Sequence, residues 1–91
     1  MKTIPLVRPP QSANLKSAKI ILFPGEEIGE HVTENREEII IVLRGKGILI
    51  KGAESFDMEE NSVHYVGKGV NHNVRNDSDE EMEYIYVVAL E

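Results

Sequence analysis

Residues 38–43 read Glu-Ile-Ile-Ile-Val-Leu, with Glu38, Ile40 and Val42 on one alternating face and Ile39, Ile41 and Leu43 on the other. Four of the six are β-branched, the composition of a pleated strand. Both faces are apolar, so the strand predicts cover on both sides. Further short apolar or alternating runs fall at 18–23, 29–33, 48–51, 54–58, 62–66, 72–75 and 82–90. Each is stopped by turn formers: Pro24-Gly25, Glu34-Asn35-Arg36, Gly45-Lys46-Gly47, Gly52, Gly67-Lys68-Gly69, and the run from Asn76 to Asp79. No stretch sustains a 3.6-residue apolar period with helix caps. Strands punctuated this often predict an all-β sandwich or barrel of about 8–11 strands, with at most a turn or two of helix. Residues 1–17 read as a leader, because Pro5, Pro9 and Pro10 oppose helix and central-strand pairing. Its run 4–7 suits a sheet edge, and residues 18–91 form the barrel domain.

The chain has 91 residues, room for one core and no more. A chain this short leaves much surface exposed, and such domains often gain stability from disulfides, a metal or a second subunit. The absence of cysteine removes disulfides, thiolate sites and thiol nucleophiles. Metal held by His and carboxylate, or oligomerisation, remains. The two-sided apolar strand at 38–43, with no helix to cover it, predicts a homodimer. A net charge of −6 opposes binding to a phosphate backbone, so nucleic acid is not an expected partner. No apolar stretch is long enough for a signal peptide or a membrane span, and the expected location is cytoplasmic.

The chain has three histidines, His31, His64 and His72. His31 and Thr33 share a strand face, and a hairpin turn after Thr33 would bring Glu38 close to His31. Two imidazoles and a carboxylate suit Zn, Fe, Mn, Co, Ni or Cu. His64, on its own strand, is a packed structural residue, a substitute ligand or an acid–base group near neutral pH. Tyr65, Tyr84 and Tyr86 read as barrel wall, Met58 and Met82 as core, and Arg36, Arg44 and Arg75 as turn-flanking surface residues.

At these residues the sequence resembles the cupin superfamily. Gly25, His31, Glu38 and Gly45 fall on the first cupin motif, with five, six and six residues between successive members. Glu37 is a rival to Glu38, but Glu38 is the one separated from a glycine by six residues. Gly69, His72 and Asn76 fall on the second motif, where Asn61 stands for its first Gly and Gly67 for its Pro. The resemblance implies a jelly-roll β-barrel, the double-stranded β-helix, with one metal ion inside its open end. Carried over residue by residue, the metal ligands are His31, Glu38 and His72. The remaining family ligand, the second His of the first motif, is Thr33 here, whose hydroxyl is a poor ligand for such metals.

The expected function is a metal-binding single-domain cupin that takes a small molecule in its barrel. The enzymatic reading is a metal-dependent dioxygenase or isomerase. The alternative is a non-enzymatic binding, sensor or structural domain, and fold does not decide between them. No constellation of Arg, Lys or Asp around the motifs marks a substrate.

Overall fold

The computed structural model describes residues 1–90, which form nine β-strands and, among these residues, no helix. The strands are β1 Lys2–Val7, β2 Leu15–Leu22, β3 His31–Val32, β4 Glu38–Arg44, β5 Gly47–Lys51, β6 Glu54–Met58, β7 Val63–Val66, β8 Asn71–Arg75 and β9 Met82–Ala89. They build two antiparallel sheets, ordered β1-β2-β9-β4-β7 and β3-β8-β5-β6. The all-β architecture expected from the turn spacing is found, in the jelly-roll form that the cupin resemblance implies.

The core lies between the sheets and follows the period-2 pattern of each strand. Ile20 and Leu22 from β2, Ile40 and Val42 from β4, Leu49 from β5, Met58 from β6, Val66 from β7, Val74 from β8, and Met82 and Tyr84 from β9 pack together. In β4 the Glu38–Ile40–Val42 face is the buried one. Its other face is uncovered, with Ile39 and Leu43 exposed. Val63 and Tyr65 of β7 extend the same outer surface and are exposed as well. Tyr65 is therefore outside the barrel wall, whereas Tyr84 is inside it.

Two turns of the cupin-like motifs depend on special backbone conformations. Gly45 joins β4 to β5 at φ 78°, and a Cβ there would collide with the Glu81 carbonyl. Asn61, which replaces the motif's first Gly, adopts φ 67°, a conformation Asn tolerates better than other side chains. The proline-bearing β1 pairs only with β2 and lies at a sheet edge, where Pro5 costs no central ladder bond. β2 begins at Leu15, earlier than the apolar run suggests, because it pairs with β9 over its whole length.

Candidate metal centre

β3 and β4 do not form the hairpin expected from the sequence. β3 pairs with β8 in the four-stranded sheet, while β4 lies in the other sheet between β9 and β7. The turn at 33–37 thus crosses from one sheet to the other. Its closure is local: the Arg36 amide donates to the Thr33 carbonyl at 3.1 Å, and Thr33 Oγ1 donates to the Arg36 carbonyl at 3.2 Å. Thr33 lines the cavity beside His31, but its hydroxyl is committed to this turn.

His31 and His72 are partners in the β3–β8 ladder and lie side by side on one face. Glu38 meets them from the opposite sheet, with its Oε1 3.1 Å from His72 Nε2. One donor atom from each of the three residues lies within 4.8 Å of the other two. Glu38 and His72 are buried, whereas His31 stands at the solvent-facing rim.

The two imidazoles are oriented in the same way. His31 Nδ1–H donates to the Gly29 carbonyl at 2.8 Å, and His72 Nδ1–H donates to the Val70 carbonyl at 2.9 Å. Each ring is held by the carbonyl two residues earlier, which fixes its tautomer and turns Nε2 towards the shared point. Two imidazole nitrogens and a carboxylate grouped in this way could hold a divalent ion. Without an ion, both His72 nitrogens face acceptors. Burial works against charge on this ring, but the Glu38 carboxylate and the Val70 carbonyl outweigh it, and its pKa is raised.

The three residues stand in a cavity of about 640 Å³ at one end of the barrel. Ile20, Ile28, Val74 and Val88 give it apolar walls, and Tyr84 and Tyr86 also line it. Burial raises the pKa of both tyrosines, and the nearby Glu38 charge adds to the effect, so their hydroxyls remain protonated. Lys16 and Arg36 line the cavity too. Arg36 is exposed, as its turn-flanking position predicts, and Lys16 is exposed as well, so both border the cavity from its solvent side. Their signal is positional: Lys16 continues the inward row of Ala18, Ile20 and Leu22, and Arg36 lies two residues before Glu38.

His64 takes no part in this group. Its Nε2 lies 2.8 Å from Ser62 Oγ, and its pKa is lowered by burial and by the charge of Lys51. Among the described residues the one group of metal-ligating side chains is His31, Glu38 and His72. Asn76 of the second motif is structural. It donates to the Leu22 and Glu80 carbonyls and accepts from the Ser78 amide and hydroxyl. Arg44 and Arg75 form exposed ion pairs, with Glu81 and Glu83 and with Glu27 respectively.

Comparison with known proteins bears on this geometry. A family model for the cupin domain matches residues 19–88. The oxalate-binding protein of Thermotoga maritima is 26% identical over 73 residues, which is 80% of this chain and 60% of that relative. This chain therefore spans less than two thirds of that relative's length. Among solved structures, TT1209 from Thermus thermophilus superposes with a TM-score of 0.89 at 25% identity, covering 98% of this chain and 82% of that one. A predicted oxalate decarboxylase from Thermotoga maritima gives 0.79 at 25% identity, over 84% of this chain and 66% of its own. The cupin domain of Cnp3 from Schizosaccharomyces pombe gives 0.89 at 18% identity, covering 98% and 64%, and shares the fold.

Proposed function

This chain belongs to the cupin family, and on that premise we propose that it binds a divalent transition-metal ion through His31 Nε2, the Glu38 carboxylate and His72 Nε2, and holds a small molecule against that ion. The observation that carries the reading is the matched restraint of the two rings, each held through Nδ1, with His72 Nε2 on Glu38 and all three residues placing a ligand atom within 4.8 Å of one another. When bound, the ion supplies Lewis-acid character and open coordination positions. The protein's own part is to orient the donors, provide apolar walls and leave one end of the cavity open to a ligand. Thr33 contributes the turn and no ligand atom.

The relative named for binding oxalate supports a carboxylate ligand. It also favours a binding role over turnover as the reading to test first. Elemental analysis of the purified protein, followed by calorimetric titration of the metal-loaded form with oxalate and assay for its consumption, separates the two. A stoichiometric metal and saturable binding support the reading. Failure to take up any of Zn, Fe, Mn, Co, Ni or Cu overturns it.

We also infer a homodimer formed through the outer face of the five-stranded sheet. Ile39, Leu43, Val63 and Tyr65 are exposed there, and Ile41, Ile85 and Val87 continue the same surface through the β4–β7 and β4–β9 registers. A contiguous apolar patch of this kind marks an interaction surface.

A further inference from the structure

Lys16 and Arg36 reach the cavity from separate elements. Lys16, exposed at the end of β2 where it borders the cavity, pairs with Val88 of β9, which pairs on its other side with Glu38 of β4. Lys16, Val88 and Glu38 thus form a row across three neighbouring strands. At the usual strand spacing the Lys16 and Glu38 backbones lie about 10 Å apart, and the lysine side chain spans much of that gap. Arg36 is carried on the turn clamped by Thr33.

Neither cation forms an ion pair among the described residues, whereas Lys19, Arg44 and Arg75 each pair with a glutamate. Two acids besides Glu38 line the mouth, Glu30 and Glu34. Glu30 is engaged by Asn71 Nδ2, and Glu34 sits in the turn at φ 53°.

We propose that Lys16 and Arg36 form an anion-binding point at the mouth of the cavity that also holds His31, Glu38 and His72, and that the ligand is a small organic acid whose carboxylate docks on them while its other end reaches the metal. The second half rests on the metal reading above; the first does not. Arginine offers paired N–H donors to the carboxylate, and lysine adds a point charge. Val88, between Lys16 and Glu38 in the sheet, and Ile20 elsewhere in the cavity lining give apolar surface that suits a short carbon chain.

The test is calorimetric titration of metal-loaded and chelator-treated protein with oxalate, malonate, succinate and glutarate, and with succinamide as a neutral analogue. Metal content is measured for every sample. The wild type should bind at least one diacid, at least tenfold more tightly than succinamide, and more weakly as salt is raised. Lys16→Met and Arg36→Met should each weaken that diacid at least fivefold without changing metal content. Substitutions that alter the affinity less than twofold in both forms would overturn the proposal, as would succinamide matching succinate or no diacid binding at all. A wild type that takes up no metal overturns the metal reading alone, since the cation dependence is then read on the metal-free protein.

Discussion

His31 and His72 face one another across the β3–β8 ladder, with ring centroids 4.2 Å apart and planes tilted by 55°. Two backbone segments 41 residues apart in sequence therefore present their imidazoles as a cross-strand pair. The third group, Glu38, comes from the other sheet. The site consequently depends on how the sheets pack, as well as on strand register.

The two histidines differ in what their loss should do. His72 is 1% exposed and is the partner of the buried Glu38. His72→Ala should abolish metal uptake and also destabilise the metal-free protein by about 1–3 kcal/mol, because a buried carboxylate loses its partner. His31→Ala, at the rim, should reduce metal uptake with little effect on metal-free stability. Metal analysis paired with thermal melts of both variants checks this. Equal destabilisation by the two substitutions would count against the assignment.

Much of this was legible in the sequence because turn chemistry and ligand spacing are local. Gly25, Gly45, Gly69 and Asn61 mark their turns by residue type, and all four have positive φ. Glu38 was distinguished from Glu37 by its distance to Gly45, and Glu38 is the buried one, while Glu37 accepts from the Tyr65 hydroxyl at the surface. The sheet assignment of β3 was not legible, since a polar four-residue turn can close a hairpin or cross between sheets. Its outcome depends on β8, which lies far along the chain. Lys16 and Arg36 are surface residues as their strand-end and turn positions predict, and only the tertiary arrangement shows that they border the cavity.

Gly45 should be among the least replaceable residues. Its φ of 78° disfavours any Cβ, and the added methyl would also press on the Glu81 backbone. Gly45→Ala should cost about 2–4 kcal/mol, the sum of left-handed strain and overpacking. In a domain of this size that lowers Tm by about 10 °C or more. Gly52→Ala serves as the control, because its Cβ would meet nothing within 4 Å although its φ is 59°. Its loss should be confined to about 1–2 kcal/mol.

The outer sheet face makes the oligomer prediction. Val63 is 64% exposed and Ile39 42% exposed, and their side chains belong to adjoining strands of one surface. Light scattering should report a mass near twice the 10.2 kDa of the chain. Ile39→Glu combined with Val63→Glu should give a folded monomer, because neither residue belongs to the core. A wild-type monomer at micromolar concentration would rule the dimer out.

The final prediction concerns pH, and its sign reverses with metal. In the metal-free protein His72 has a raised pKa: burial opposes the charge, but the Glu38 carboxylate and the Val70 carbonyl outweigh it. Folding therefore favours the protonated ring, and this stabilisation is complete below the ordinary imidazole value of about 6.5 and is lost as pH rises through the folded value. His64 acts in the opposite direction, since burial and the Lys51 charge lower its pKa, so its protonation at acid pH destabilises the fold. The wild type must accordingly be compared with His72→Gln, in which the His64 contribution is retained and cancels. The difference in Tm between them, measured without metal, should shrink from pH 6 to pH 8. With metal present the dependence inverts, because the ion needs the Nε2 lone pair that a proton would occupy. Metal affinity should then rise with pH, by up to about tenfold per unit for each proton displaced. A metal-free Tm difference that grows with pH, or a metal affinity that does not change between pH 6 and 8, would show that His72 Nε2 is not the shared binding atom.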